Sequence, residues 1–278
     1  MENFAECPIK NVTVITGAGS GMGLEMAKIF GRQGPVVVCG RTLSKIEKAV
    51  EELKCMGVEA HGASCDVSDK ASVDALAKMA SSLGNIRVVV NSAGVSPSSA
   101  DSKTIYRINL LGTIHVAESF FPLMAEGSVL VNISSMAGHM MPMNQAYSEL
   151  FAIENTDELI ETALKSFPEN HAYSISKRFV IEYTKDLGAK FSKKKVRVVS
   201  ISPGTFDTPM LDTVRERDTT KQMIQMTPAG RTGDPVEIAH LAEFLVSDKA
   251  TYITGTDVLI DGGYVNVLLE GLKAQKEQ

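Results

Sequence analysis

The chain has 278 residues, 44% of them hydrophobic and 22% charged, with a formal net charge of −5. That length and balance describe an ordinary globule with a sizeable core, and the mild acidity gives no reason to expect nucleic acid or an anionic membrane surface as partner. No apolar run approaches the roughly 18 residues of a membrane span. The N-terminal stretch MENFAECPIKNVTVIT lacks the basic start and apolar centre of a signal peptide. The four cysteines (Cys7, Cys39, Cys55, Cys65) form no CxxC pair, and Cys39 and Cys65 close apolar runs. They read as buried free thiols in a reducing cytoplasm rather than as disulfides, and no metal site is expected.

Apolar runs alternate with helical patterns along the chain. VTVIT (12–16) reads as a strand and GLEMAKIFGRQG (23–34) as a helix. VVVC (36–39) is a second strand, before the helix LSKIEKAVEELKCMG (43–57). VEAHGASC (58–65) leads into DVSDKASVDALAKMASSL (66–83), where Asp66 or Ser68 can cap the helix. IRVVVNSAG (86–94), SVLVNISS (128–135), VRVVSISPG (196–204) and DVLIDGG (257–263) supply the remaining strands. Several of these runs are continuously apolar, the signature of parallel strands covered on both faces. The expected fold is therefore α/β and Rossmann-like: a doubly wound, seven-stranded parallel sheet with helices on both faces. One domain is expected over 1–278, with a loose tail at LKAQKEQ (272–278).

The turn after the first strand is TGAGSGMG, Thr16 to Gly23. Glycines let the backbone turn sharply and let a pyrophosphate approach main-chain N–H groups at a helix N-terminus. Lying between a strand and a helix, the loop is a strong sign of a dinucleotide. Its spacing, TGxxxGxG through Gly17, Gly21 and Gly23, resembles the short-chain dehydrogenase/reductase family. NSAG (91–94), CDVSD (65–69), RINLLG (107–112), VNISS, YSISK and PGTFDTPM (203–210) resemble the family's later motifs. The likeness runs from about residue 10 to 264. It implies hydride transfer between a nicotinamide and a carbonyl or secondary alcohol. It also implies cofactor contacts from Gly17, Ser20, Gly21, Met22, Gly23, Gly40, Arg41, Asp66, Val67, Asn91, Ala93, Gly94, Pro203, Gly204 and Thr208, with Tyr173 and Lys177. Asp66 would meet the adenine amine.

The tripeptide AYS occurs twice, at Tyr147 and at Tyr173. A tyrosine near pKa 10 is a poor base at neutral pH, and a nearby ammonium favours its phenolate. Residues i and i+4 share a helix face. Tyr173 has Lys177 at that spacing, whereas Tyr147 has Phe151. Tyr173 is therefore the catalytic candidate and Tyr147 a decoy. By resemblance, Ser135 bonds the substrate oxygen, Lys177 also holds the nicotinamide ribose, and Asn109 positions a water that relays protons to Lys177.

Ser135 and Tyr173 lie 38 positions apart (173 − 135), longer than the family's usual gap. A helical insertion is expected over 140–171, with a helix at 155–167 whose apolar face is Leu159, Ala163, Leu164 and Phe167. The insertion resembles that of the bacterial 3α-hydroxysteroid dehydrogenase/carbonyl reductase branch. Met140, Met141 and Met143 serve either as an adaptable wall for a bulky substrate or as packing for the insertion. Either that face packs on its own subunit and covers the usual long-helix interface, or it forms a new interface across a two-fold axis; both disfavour the family's ordinary tetramer, so a homo-dimer is expected ahead of a tetramer.

Gly40 stands where NAD-preferring relatives carry an acid, and Arg41 follows, which favours NADP(H) over NAD(H). The leading expectation is a reductase or dehydrogenase for a small-molecule ketone or alcohol, with a hydroxysteroid or similar bulky substrate first. A 3-oxoacyl-carrier-protein reductase is the alternative. A non-catalytic NAD(P)-binding regulator is the reading from a different class.

Overall fold

The computed structural model describes residues 10–276 except Pro142. Seven parallel strands form one sheet in the order β3-β2-β1-β4-β5-β6-β7. They are β1 (Asn11–Thr16), β2 (Val36–Gly40), β3 (Ala60–Ser64), β4 (Asn85–Asn91), β5 (Met124–Ile133), β6 (Arg197–Pro203) and β7 (Thr256–Ile260). The strand order reverses between β1 and β4, which opens a crevice at the carboxyl ends of the strands. Alternate residues of a single strand serve opposite cores. Val36 and Val38 pack on one face, Val37 and Cys39 on the other. A strand buried on both sides must be apolar throughout, which is why these runs stand out in the sequence.

The first half carries α1 (Gly21–Phe30), α2 (Leu43–Cys55), α3 (Lys70–Ser81) and α4 (Ser102–Ile105). A π-helical turn over Tyr106–Leu111 joins α4 to α5 (Gly112–Phe120). The second half carries α6 (Met136–His139), α7 (Gln145–Phe151), α8 (Thr156–Ser166), α9 (Ala172–Phe191), α10 (Pro209–Asp212), α11 (Asp218–Met226), α12 (Pro235–Val246) and α13 (Tyr264–Lys276). Residues of α1, α2 and α12 fill the core on one face of the sheet, and those of α3, α5 and α9 fill it on the other.

Two local expectations fail. Asp69, not Asp66 or Ser68, caps α3 by accepting the Ala71 N–H. Asp66 is engaged elsewhere, since its Oδ1 accepts both the N–H and the hydroxyl of Ser68. The expected loose tail is helical through Lys276, on a helix whose start Tyr264 and Val265 anchor in a small core with Met136, while 277–278 lie outside the described residues. Cys39 and Cys65 are buried free thiols and Cys55 is an exposed one, while Cys7 lies outside the described residues.

The insertion holds α8 where a helix was expected, with Asn155 accepting the N–H groups of Asp157 and Glu158. Its most buried residues are Leu159, Ile160 and Ala163, with Leu164 and Phe167 partly buried. The apolar stripe thus extends to Ile160, which the pattern of 159, 163, 164 and 167 leaves out. This face packs on its own chain, in a core with Ile105, Tyr106, Leu110, Ile175 and Phe179. The short α7, unanticipated, is capped by Asn144 and brings Tyr147 into the same core.

Candidate active site

The glycine loop joins β1 to α1 at the crevice. Gly17 sits at φ +69°, and a methyl group there would stand 2.8 Å from the Ala93 backbone. Gly23 is as tightly placed against the Gly17 carbonyl, at 2.7 Å. Ser20, the residue before α1, makes no side-chain cap, so the first N–H groups of that helix are left for another acceptor. Gly21 faces Thr208 across the crevice, at 3.5 Å from a built methyl position to Cγ2. The loops after β1 and β6 therefore meet where a pyrophosphate would lie. Gly204 lies against Asp261, too close for a side chain at 2.6 Å, and its N–H donates to Ile260. Pro203 ends β6 beside Ile260.

A cavity of about 110 Å³ lies beside this loop, lined by Gly17, Gly40, Arg41, Val67, Ala93 and Gly94 among others. Its lining at the ends of β1, β2 and β4, beside the uncapped start of α1, fits the adenosine and pyrophosphate part of a dinucleotide. Asp66 borders this region with one carboxylate oxygen already bonded to Ser68. Arg41 is exposed and makes no ion pair among the described residues. The Asn91 side chain is buried inside the sheet, accepting from Thr16 and donating to Thr113 and Asn132, which leaves its main chain to face a cofactor. Thr16 in turn accepts the N–H groups of Ser92 and Ala93 and fixes the turn after β4.

The second cluster sits at the end of β5 and the start of α9. Ser135 and Tyr173 share one cavity wall, with the serine close enough to pull the phenol toward its ionised form. Ser135 also caps α6, accepting the Ala137 N–H at 3.2 Å. Lys177 is one turn beyond Tyr173 and only 6% exposed. Its Nζ lies 5.9 Å from the Tyr173 ring centre and donates to the Ile133 carbonyl at 3.0 Å. Asn109 lies in the π-helical turn, and its amide bonds both backbone groups of Val95 and the Ser176 hydroxyl. A methyl group at Gly94 would stand 3.3 Å from Asn109 Oδ1 and 3.4 Å from Lys177 Nζ. Gly94 thus marks the point where these two side chains converge.

Burial sets the protonation of the pair. It pushes the Tyr173 phenol above its ordinary value, against a smaller downward pull from Ser135. It brings the Lys177 ammonium down to about 8. Desolvation dominates at the phenol, and the Lys177 ammonium bonds the Ile133 carbonyl, so the Tyr173 hydroxyl stays protonated at neutral pH. Tyr147 is buried, its ring stacked 5.1 Å from that of Phe167.

Two residues that the motifs did not single out hold this cluster together. Ser134 donates to the Lys177 carbonyl at 2.7 Å and ties β5 to α9. Gly138 lets α6 approach α9, since a methyl there would lie 2.9 Å from the Lys177 carbonyl carbon. The doubled serine of NISS was a visible signal for Ser134, whereas nothing local marks Gly138.

Tyr173 and Ser135 open onto a larger cavity of about 420 Å³. Met22, Met136, Met140, Met210 and Met223 form much of its wall. The methionines after Ser135 divide between the two expected roles. Met140 lines the cavity, while Met141 and Met143 pack with the insertion. No group of three or more potential metal ligands occurs among the described residues.

Residues 11–149 match the family described as short chain dehydrogenase, and residues 160–265 match the one described as Enoyl-(Acyl carrier protein) reductase. The short-chain dehydrogenase/reductase bsc3 of Alternaria brassicicola is 32% identical over 265 residues, covering 91% of this chain and 95% of the relative. The 7alpha-hydroxysteroid dehydrogenase of Escherichia coli is 29% identical over 265 residues, covering 92% of this chain and 94% of the relative. An actinorhodin polyketide ketoreductase solved with NADPH superposes with a TM-score of 0.75 at 28% identity, covering 92% of this chain and 97% of that one. A nicotinamide-dependent oxidoreductase is the class that this sheet, glycine loop and tyrosine-lysine pair define. The chain belongs to the short-chain dehydrogenase/reductase family.

Proposed function

We propose that the protein interconverts a bulky, largely apolar ketone and its secondary alcohol, using NADP(H) in preference to NAD(H). The observation that carries this reading is the placement of Ser135 and Tyr173, backed by Lys177, together on the wall of a methionine-rich cavity. When bound, the nicotinamide supplies or accepts the hydride, and with it two electrons. Ser135 holds the substrate oxygen, and Tyr173 donates the proton that turns it into a hydroxyl. Lys177 is positioned to hold a ribose hydroxyl, and Asn109 to order the proton path behind it. Exposed, unpaired Arg41 beside Gly40 supports the 2′-phosphate preference. The 7alpha-hydroxysteroid dehydrogenase among the relatives supports a steroid-sized ketone ahead of a carrier-protein thioester.

The remaining readings concern organisation. The chain acts as one catalytic unit in the cytoplasm, with 140–171 as a helical insertion. It assembles as a dimer, because α8 turns its apolar face to its own chain beside the usual long-helix contact. No helix among the described residues is long and apolar enough to cross a membrane. The test is a panel of alicyclic ketones, alcohols and a 3-oxoacyl thioester, assayed with each nicotinamide. Turnover of bulky ketones with NADPH supports the reading. Turnover of the thioester alone, or of nothing, would sink it.

A further inference from the structure

The large cavity has one formal charge on its wall. Among its lining residues Arg217 alone is ionised at neutral pH, and no carboxylate lines the cavity. Arg217 immediately precedes α11, and its guanidinium makes no ion pair among the described residues. The neighbouring ions are engaged elsewhere. Arg215 bonds Asp207 and Asp212, and Lys221 bonds Glu216. Asp218, the acid of the first turn of α11, is exposed and stands outside the cavity lining.

The next two residues of α11 share the cavity wall. Thr219 and Thr220 line it, and neither hydroxyl has a hydrogen-bond partner among the described residues. Arg217 gives α11 no side-chain cap, so the first-turn N–H groups are open as well. The segment Arg217–Thr220 thus brings a cation, two hydroxyls and a helix start to the cavity wall, while Met136 and Met140 supply apolar wall. A neutral hydrocarbon ketone has no use for that polar stretch. A substrate with an apolar skeleton and an acidic tail uses all of it, and a guanidinium matches a carboxylate with two parallel hydrogen bonds.

We propose that Arg217 makes this enzyme selective for bulky ketones that carry a carboxylate, with the carbonyl at Ser135 and Tyr173 and the carboxylate at Arg217. The proposal rests on the ketone-reductase reading given above. Because Arg217 is exposed, its contribution is that of a solvent-screened, charge-assisted bond: about tenfold in kcat/KM at low salt, and less as salt rises.

The test uses the full chain with NADPH and a series of alicyclic ketones bearing a carboxylate tail of graded length, each with its methyl ester. The expected result is a preference of about tenfold for the best acid over its ester. That ratio falls toward one in Arg217→Gln, recovers partly in Arg217→Lys and shrinks with added salt. A parallel measurement is binding of the matching acid without the ketone group, by calorimetry on the cofactor complex, where wild type binds and Arg217→Gln binds weakly. Equal turnover of acid and ester by wild type, or a ratio unchanged in Arg217→Gln, overturns the proposal and leaves the reductase reading standing. Failure to reduce any ketone of either kind overturns both.

Discussion

Burying Lys177 carries a cost that the fold must bear before any ligand arrives. Its ordinary pKa of 10.5 falls to about 8 in the folded chain, because burial disfavours the ammonium. The unfolded chain therefore binds this proton more tightly. Between pH 8 and 10.5 the unfolded state holds more protons than the folded one, so stability rises with pH across that window. Below it the penalty is complete, at roughly 3.4 kcal/mol at pH 7; by pH 9.5 it has shrunk to about 1.4 kcal/mol. Lys177→Met keeps the aliphatic stem and removes the charge. It also strips the Ile133 carbonyl of its donor, a pH-independent loss of about 1–3 kcal/mol. The offset at any one pH is thus a difference of two similar quantities, but its pH dependence is not. The advantage of Lys177→Met over wild type should fall by about 2 kcal/mol between pH 7 and pH 9.5. Urea titrations of both proteins without cofactor at the two pH values measure it. Stopping at pH 9.5 avoids ionising Tyr173, whose pKa is raised. A stability difference that is the same at both pH values would refute the account of Lys177 as a charge held against desolvation.

Three further outcomes are expected. Tyr173→Phe should lose turnover by about 10²–10⁴-fold while NADPH affinity, read by fluorescence titration, stays close to wild type, whereas Tyr147→Phe should keep activity within a few-fold. Gly40→Asp should move the kcat/KM ratio toward NAD, since a carboxylate at the end of β2 binds a ribose 2′-OH and repels a 2′-phosphate; an unchanged ratio would remove Gly40 from cofactor choice. Leu159→Ala should destabilise the chain by about 2–5 kcal/mol in a denaturant titration, because this side chain is fully buried on the inner face of α8; a loss below about 1 kcal/mol would mean that the insertion packs loosely.

The sheet was legible because strands covered on both faces must be apolar at every position, as Val36 to Cys39 are. The glycine loop and the spacing of Tyr173 and Lys177 were legible because backbone conformation and helix period restrict the residue types allowed there. What escaped depends on distant partners. The stripe on α8 takes in Ile160 because Tyr106 and Leu110, some fifty residues earlier, form its floor. The need for glycine at 138 arises from the approach of α9, which no local pattern records. The π-helical turn at Tyr106–Leu111 leaves no periodic trace, since it inserts a single residue into an otherwise helical run. The cap of α3 went to Asp69 because Asp66, three residues earlier, had found a partner in Ser68.

Val95 lies beyond the end of β4, yet both its backbone groups are bonded by the Asn109 amide, as a neighbouring strand would bond them. The side chain is a borrowed rung, and it steadies the segment that continues into Ser96, Pro97 and Ser98 on the cavity wall. A substitution at Asn109 therefore loosens the wall as well as disturbing the proton path proposed for it, and on that proposal slow turnover in such a variant has two sources. Substrate size separates them. A small ketone that never touches Ser96–Ser98 feels the loss of proton transfer alone, whereas one that fills the cavity feels both, so the ratio of the two defects measures how much of Asn109 is chemistry and how much is scaffolding.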